Sequence, residues 1–200
     1  MKPNKEEPET IAGFLKALVD KGFIYKNRVK IEEDLKGKEV GRKLIQIWFI
    51  HPRLMDITRR FVSDFILVID GTFNTNKERL PLLIAVGVLN SEKTFPIAFS
   101  WCPSEDKVSY VFFWECLKEY GFERLGEPHT VPSRVILGDQ NGGLTASIPN
   151  VFSDAQQQFC TWHAVEAIYR KLRELGILYF DFKFYKDIDG NKIKGIRKHC

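Results

Sequence analysis

Short, unbroken hydrophobic runs alternate along this chain with polar and glycine-containing turns. The clearest run covers residues 65–69 and ends on Asp70, after which glycine and small polar residues follow. Because the run is short, rich in Ile and bounded by turn residues, it predicts a buried central strand with Asp70 at its end. Further strands are predicted at residues 80–89, 95–101, 134–139 and 156–160.

Apolar residues at helical spacing predict the elements between these strands. One helix is predicted from Ile11 to Val19, after Thr10 as its N-cap. Another opens at Ser104, taken as the N-cap, with Glu105 and an aspartate in its first turn. Shorter helices are predicted at residues 53–61 and 142–148, and a last helix at 164–175.

The order of these elements predicts the fold class. Three consecutive strands are followed by a helix, a strand that ends on Asp139, a short helix, a strand and a helix. The first three strands are expected to form an antiparallel meander, and the later two, joined through helices, to add in parallel. This is the order of a ribonuclease-H-like α/β fold with a mixed sheet. It makes the first and fourth strands neighbours, so Asp70 and Asp139 are expected to lie side by side.

The predicted organisation is a small, mainly helical N-terminal extension at residues 1–60, the α/β core at 61–180 and a basic tail at 181–200. The 200 residues are enough for one sizeable hydrophobic core. The formal net charge is +4, and the tail holds six basic against three acidic side chains. This surplus is compatible with contact to a phosphate backbone and equally with a solvated terminus.

The hydrophobic runs also bear on the cellular compartment. None is long enough to span a bilayer, and the N-terminal residues lack the core of a signal peptide. We therefore expect an intracellular protein that does not cross a membrane. In that compartment the four cysteines are expected to be reduced thiols or metal ligands, and not a disulfide framework.

The strand-end aspartates, Asp70 and Asp139, are the candidate catalytic and metal-binding residues. Two facing carboxylates repel each other unless a cation lies between them, and Mg²⁺ or Mn²⁺ takes oxygen ligands of this kind. Two such ions about 4 Å apart support phosphodiester hydrolysis or transfer by water or a 3′-hydroxyl, and normally need a third carboxylate. The alternative is that Asp70 merely caps the turn that it forms with Gly71 and Thr72.

Four blocks of residues follow one another in a characteristic order. They are Asp70-Gly71-Thr72-Phe73-Asn74-Thr75-Asn76, Leu80-Pro81-Leu82-Leu83, Gly138-Asp139-Gln140 and Phe159-Cys160-Thr161-Trp162-His163. Together they resemble the successive blocks of Mutator-like element (MULE) transposases, and the likeness covers about residues 48–170. Residues 48–52 also resemble the segment before the first catalytic strand in fungal members. Several ordered blocks make this match more specific than one short motif.

The resemblance implies the ribonuclease-H-like core of a DDE-type transposase, which cleaves DNA and transfers strands with Mg²⁺ or Mn²⁺. Asp70 and Asp139 would be the first two acids of the DDE triad. Cys160 and His163 would belong to a motif near the active site. The implied partners are transposon ends and target DNA, with a homo-oligomer on DNA and a nuclear location as further expectations.

The Cys-x-x-His spacing also has interpretations of its own. Cys160 and His163 lie three positions apart at the predicted start of a helix, hence on one face, where they could share a metal ion. A complete zinc site needs four ligands, and the other pair, His199 and Cys200, is badly spaced for it. The structural alternative places Cys160 in the core and makes His163 a hydrogen-bonded histidine at the helix start.

The third acid of the triad is the missing part of this pattern. In MULE transposases a helical insertion follows the Cys-x-x-His block, and the catalytic Glu follows the insertion. This chain is therefore expected to stop inside the insertion and to lack that Glu. Glu166 and Glu174 are candidates to replace it. Glu174 has a spacing from Asp139 like that of DDE enzymes without the insertion, and Glu166 lies nearer the start of the predicted helix. Glu105 is a further candidate, although complementation of the helix dipole explains it better.

Three functions remain open from the sequence. The first is the catalytic core of a MULE-type transposase, and the intact aspartates favour it. The second is a decayed or domesticated fragment that binds DNA or protein without catalysis, and the absent Glu favours it. The third is a cellular ribonuclease-H-like nuclease, which would need Glu105, Glu166 or Glu174 to complete its site.

Overall fold

The computed structural model describes residues 10–33, 37–61, 66–76, 78–89, 93–123, 135–176, 180–186 and 192–198. Its helices are α1 (Ile11–Asp20), α2 (Pro52–Phe61), α3 (Lys107–Cys116), α4 (Gly142–Val151) and α5 (Thr161–Glu174), and a π-helical segment (Leu117–Phe122) follows α3. Its strands are β1 (Ile24–Glu33), β2 (Glu39–Ile50), β3 (Ile66–Thr72), β4 (Leu82–Val88), β5 (Thr94–Trp101), β6 (Val135–Gly138), β7 (Gln156–Phe159), β8 (Phe180–Lys186) and β9 (Lys192–Lys198). No helix in these ranges is both long and apolar enough to cross a membrane.

Seven strands form one open sheet in the order β1-β2-β5-β4-β3-β6-β7. Strand β4 runs antiparallel to both β3 and β5, whereas β6 runs parallel to β3. The fold is therefore a mixed α/β fold. The predicted antiparallel meander and the predicted parallel neighbour of the central strand are both present.

The chain divides into two compact units, Met1–Gln158 and Phe159–Cys200. The first unit contains helices α1 to α4 and the seven-stranded sheet except for the last residue of β7. The second unit contains α5 and the antiparallel hairpin β8-β9. Residues 180–186 and 192–198 thus pair as strands, whereas the resemblance implied the start of a helical insertion there.

The N-terminal extension differs from the expectation of a mainly helical segment. It contains a long hairpin, β1-β2, as well as two helices, and β2 pairs antiparallel with β5 from Ile47↔Trp101 to Ile50↔Ala98. The hairpin therefore extends the sheet. The prediction was wrong because much of the hairpin is solvent-exposed, including Val40 at 63%. Strand β1 has no buried residue, and the buried residues of β2 lie only within 46–50. The outer part of the hairpin consequently lacks the buried alternating positions that mark a strand in a sequence.

The hydrophobic core fixes β3 and β6 against helices α3 and α4. Leu67 and Ile69 of β3 are almost fully buried but alternate with more exposed residues, including Ile66 at 41%, so β3 is buried on one face and not on both as the unbroken apolar run predicted. On the helices, Trp114 of α3 is fully buried, and its Nε1 donates a hydrogen bond to Ser147 Oγ of α4 at 2.9 Å. The ends of β3 and β6 are thus attached to a rigid framework, which positions the side chains just beyond them.

Candidate active site

The carboxyl ends of β3 and β6 lie side by side because the two strands are parallel. Their paired residues are Ile66↔Val135, Leu67↔Ile136 and Val68↔Leu137. Asp70 and Asp139 each come two residues after the last of these pairs, so the backbone brings them to matching positions at one edge of the sheet. The two aspartates that are far apart in sequence are therefore neighbours in the strand register.

Each aspartate accepts a hydrogen bond from a backbone N–H one or two residues further along the chain. Oδ1 of Asp70 accepts from the N–H of Gly71 at 3.0 Å, and Oδ1 of Asp139 accepts from the N–H of Asn141 at 3.1 Å. The alternative role of Asp70, as the cap of a turn with Gly71 and Thr72, was wrong, because β3 continues through both residues and pairs them with β4. A carboxylate has two oxygens with about four lone-pair sites, so one such bond does not exclude a second role.

The turn that carries Asp139 is held from two directions. Asn141 caps α4, because its side chain accepts a hydrogen bond from the N–H of Leu144 at 3.1 Å. The side-chain amide of Gln157 on β7 donates to the backbone oxygen of Asp139 at 3.3 Å. Asp139 is half-buried, whereas Asp70 is exposed. These contacts restrict the positions that the Asp139 carboxylate can take.

Glu105 occupies a different place from the one predicted. Helix α3 begins at Lys107, and its N-cap is Asp106, whose side chain accepts from the N–H of Ser109 at 2.8 Å. Ser104, the predicted cap, instead donates its hydroxyl to the Asp106 carboxylate. Glu105 therefore precedes the helix and lies outside its first turn. Complementation of the helix dipole does not account for its position, because that effect is confined to the terminal turn.

The Glu105 carboxylate lies directly against the backbone of Gly71, the residue after Asp70. A Cβ atom built on Gly71 would lie 1.7 Å from Glu105 Oε1, so a side chain at position 71 would have to displace this carboxylate. The hydroxyl of Tyr110, on α3, donates to the same oxygen at 3.4 Å. Glu105 is thus placed beside the end of β3 by a close approach that the glycine permits.

The start of α4 also packs against the segment that carries Glu105. A Cβ atom built on Gly143 would lie 2.7 Å from the backbone oxygen of Glu105 and 2.8 Å from the carbonyl carbon of Asp106. Helix α4 follows Asp139 in the chain. Glu105 is therefore held between the strand end that bears Asp70 and the helix that begins just after Asp139.

The three carboxylates influence one another electrostatically. Burial raises the pKa of Glu105, and the negative charges of Asp139 and Asp70 raise it further, against the hydrogen bond from Tyr110. The pKa of Tyr110 is also raised, first by burial and then by the charges of Glu105 and Asp139. The phenol therefore stays a proton donor at neutral pH. Glu105 lies close enough to both aspartates for like-charge repulsion to matter.

The chemistry of this donor set suits a hard divalent cation. Mg²⁺ and Mn²⁺ bind carboxylate oxygens, and a cation would relieve the repulsion among the three acids. Within the ranges that the structure describes, however, no group of three or more His, Cys, Asp or Glu side chains is arranged to hold a metal ion. The carboxylate oxygens are thus suitable ligands for Mg²⁺ or Mn²⁺, but in this structure the side chains do not converge on one point.

Cys160 and His163 lie at the start of α5, in the second unit. Cys160 is the half-buried N-cap residue of this helix and makes no side-chain capping bond. The ring of His163 contacts that of Trp162 at a centroid distance of 4.9 Å. Its Nδ1 is buried without a hydrogen-bond partner among the described residues. The role of these two residues in the site stays a prediction.

The two α5 glutamates differ in exposure. Glu166 is half-buried. Glu174 is exposed and forms an ion pair with Lys171 at 3.1 Å. Both belong to the unit Phe159–Cys200, whereas Asp70, Glu105 and Asp139 belong to the other. Their suggested role as the third acid likewise stays a prediction.

Several residues that position the site were not identified from the sequence. Asn141 carried a usable signal, since an Asn directly before a predicted helix is a typical N-cap. Gln157 and Tyr110 carried none, because their contacts with Asp139 and Glu105 depend on how distant elements pack. Gly71 was noticed only as a turn residue, and its role in admitting Glu105 needs the position of the segment before α3.

The sequence matches one protein family, the MULE transposase domain, over residues 66–167. This range is just over half of the chain and includes Asp70, Glu105, Asp139, Cys160 and His163. Glu166 also lies inside it, and Glu174 lies outside. No curated protein matches the sequence.

Proposed function

The chain belongs to the MULE transposase domain family, and we propose on that basis that it forms the core of a DDE-type transposase. The reaction would be metal-dependent cleavage of DNA and transfer of a strand at a phosphodiester bond. Asp70 and Asp139 are the first two acids of its site. The observation that carries the proposal is the parallel pairing of β3 with β6, which brings these aspartates to one edge of the sheet.

The strand order supports the ribonuclease-H-like fold that we propose for this core. Strands β5-β4-β3-β6-β7 follow one another in the sheet, with β3 between an antiparallel and a parallel neighbour. In open sheets of this kind, functional sites gather beyond the carboxyl ends of the strands where the connections diverge. Asp70 and Asp139 lie at such a point.

In the proposed mechanism, Asp70 and Asp139 would hold Mg²⁺ or Mn²⁺ with their carboxylate oxygens. Such an ion would supply activation of the attacking water or 3′-hydroxyl and stabilisation of the leaving oxygen. The chain contributes orientation. Asp139 is held by two hydrogen bonds, one from the backbone N–H of Asn141 to its carboxylate and one from the side-chain amide of Gln157 to its backbone oxygen. Asp70 is held by the rigid strand β3. A site on strand ends keeps its geometry better than one on a loop.

Calorimetric titration of the full chain with Mn²⁺ and Mg²⁺ tests this assignment. We expect saturable binding that is lost in Asp70→Asn and in Asp139→Asn, because each substitution removes a charged ligand at nearly constant size. The matched control is Asp20→Asn, since Asp20 is an exposed aspartate at the end of α1. Binding that survives both site substitutions would refute the metal assignment.

A second candidate function is binding of DNA without catalysis. It is favoured by the observation that, in the part of the chain described, no three acidic, His or Cys side chains are arranged to hold a metal ion. Fluorescence anisotropy with labelled duplex DNA separates the two candidates. A catalytic core should bind or cleave DNA in a manner that requires the divalent ion and both aspartates. A binding module should bind equally in chelator and in Asp70→Asn.

A further inference from the structure

We propose that the outer edge of β1 pairs antiparallel with the same edge of a second copy of this chain, which joins the two sheets across a two-fold axis. The surface is the segment at residues 29–33, called the β1 edge below, and all of its residues are exposed. The inference goes beyond the proposed function, because the contact needs neither DNA nor a divalent ion.

The β1 edge is open to another strand. Strand β1 comes first in the order of the seven-stranded sheet, and β2 is its one strand partner among the described residues. On its other side the backbone N–H and C=O groups therefore lack the pairing that a neighbouring strand supplies, and such a row of groups is a template for another chain. Residues 24–28 are mostly half-buried, so the exposed segment 29–33 is the accessible part of the strand.

The β1 edge also keeps a regular strand geometry. The pairing of β1 with β2 skips two residues, Ile45 and Val40, and both belong to β2. The bulges therefore lie on β2, and β1 carries no extra residue. Because a bulge on the edge strand itself is one way to prevent pairing with another chain, its absence from β1 leaves the edge competent to pair.

The sequence of the β1 edge is complementary to itself. In an antiparallel pair related by a two-fold axis, one residue lies opposite its own copy, and the residues on either side of it lie opposite each other. If Ile31 takes the central position, Lys30 lies opposite the second copy's Glu32, and the reverse pair forms as well. Opposite charges at such positions stabilise paired strands. A register centred on Lys30 or on Glu32 would instead bring two like charges together.

The neighbours of Lys30 and Glu32 on β2 leave both charges uncompensated. Lys30 is paired with Lys43, and like charges in opposite positions destabilise a hairpin. Glu32 is paired with Gly41, which has no side chain to offer it. Within the described ranges, neither Lys30 nor Glu32 forms an ion pair. A second copy in the proposed register would place an opposite charge beside each of them.

Exposed apolar side chains on the other face of the β1 edge support the same register. Val29 is 40% exposed and Ile31 is 51% exposed. In the proposed register the two copies of Ile31 face each other, and each lies diagonally beside the Val29 of the other copy. Pairing therefore removes apolar surface from water, which favours association.

Charges on an edge strand also serve to prevent pairing, and this protection is the alternative role for Lys30. Protection of that kind requires that two copies repel each other. The order Lys30-Ile31-Glu32 produces attraction in the register centred on Ile31, so it does not meet this requirement. The pattern favours self-association over protection.

Sedimentation velocity on the full chain, in chelator and without DNA, tests the inference. The contact covers few residues in each copy, and so small an interface predicts a weak dimer that forms as the protein concentration rises through the micromolar range. Lys30→Glu and Glu32→Lys should each weaken dimerisation by about tenfold or more, because two attractive pairs become repulsive. The matched control is Glu33→Lys, which makes the same charge change one residue further on, opposite the uncharged Val29 of the second copy.

A mixture of the two charge variants gives the sharper test. In a mixed dimer of Lys30→Glu with Glu32→Lys, a carboxylate again faces an ammonium group in both pairs. We therefore expect an equimolar mixture to dimerise with about the affinity of the wild type, and the double variant Lys30→Glu/Glu32→Lys to do so by itself. A substitution that merely damaged the hairpin would not be rescued by mixing.

Three results would overturn the inference: a wild type that stays monomeric at every concentration, charge variants that dimerise as well as the wild type, or a mixture that stays monomeric. Duplex DNA is the competing partner, since Lys30 and Lys43 are cations that could contact phosphates. A monomeric wild type whose DNA affinity falls in Lys30→Glu and rises in Glu32→Lys would assign the hairpin to DNA instead. None of these results depends on Asp70 or Asp139, so the proposed function stands or falls separately.

Discussion

Helices α3 and α5 both begin beside candidate site residues, but they are embedded to very different extents. Five residues of α3 are buried, whereas none of α5 is. Helix α5 instead exposes apolar side chains, with Trp162 at 57% and Ile168 at 59%. The segment before α3 is held by an N-cap, by Tyr110 and by the close approach of α4.

This difference in burial shows for which candidate residues the packing of the described structure explains their position. Glu105 precedes a helix that is part of the core, so its location follows from packing within one unit. Cys160 and His163 begin a helix without a buried residue, and the buried Nδ1 of His163 has no hydrogen-bond partner among the described residues. Both sets lie inside the range that matches the family, but local structure accounts for the position of Glu105 alone.

The largest expected effect compares one residue type in the two helices. Trp114→Ala in α3 should reduce the free energy of unfolding by about 3–5 kcal/mol, because it empties a fully buried site and removes the hydrogen bond that Ser147 Oγ accepts. Trp162→Ala in α5 should cost about 1 kcal/mol or less, since the ring is more than half exposed. Urea unfolding followed by circular dichroism measures both. Equal losses would show that α5 is as well packed as α3.

The next effect compares two adjacent glycines at the start of α4. Gly143→Ala should destabilise the protein by about 1–3 kcal/mol, because the new Cβ would lie 2.7 Å from the backbone oxygen of Glu105 and 2.8 Å from backbone of Asp106. Gly142→Ala meets nothing within 4 Å and should be neutral or slightly stabilising. Urea unfolding of the two variants gives the difference. If both were neutral, α4 would not be packed against the Glu105 segment.

The sequence likewise predicted the buried elements of the fold better than the exposed ones. The strands that carry Asp70 and Asp139 were predictable, because buried strands leave an unbroken apolar pattern and element order indicates which strands are neighbours. The outer part of the hairpin β1-β2 was not, since exposed strands leave no such pattern. Glu105 was misjudged for another reason. Helix α3 begins two residues later than expected. The contact of Glu105 with Gly71 is possible only because glycine has no side chain, and the sequence pattern does not show which distant residue fills that space.

The smallest expected effect concerns pH and returns to the charge at Glu105. Its pKa in the folded protein is raised above the ordinary value of 4.5, so the folded state binds more protons than the unfolded state between the two pKa values. Stability in metal-free buffer should therefore fall as the pH rises through this window. Glu105→Gln should remove that fall and gain on the wild type as the pH increases. The effect is modest because Glu105 is only half-buried. Glu174→Gln, on the exposed end of α5, should keep the wild-type profile. Urea unfolding between pH 4 and pH 8 in chelator measures all three proteins, and an unchanged profile in Glu105→Gln would show that neither burial nor the charges of Asp139 and Asp70 raise the pKa of Glu105.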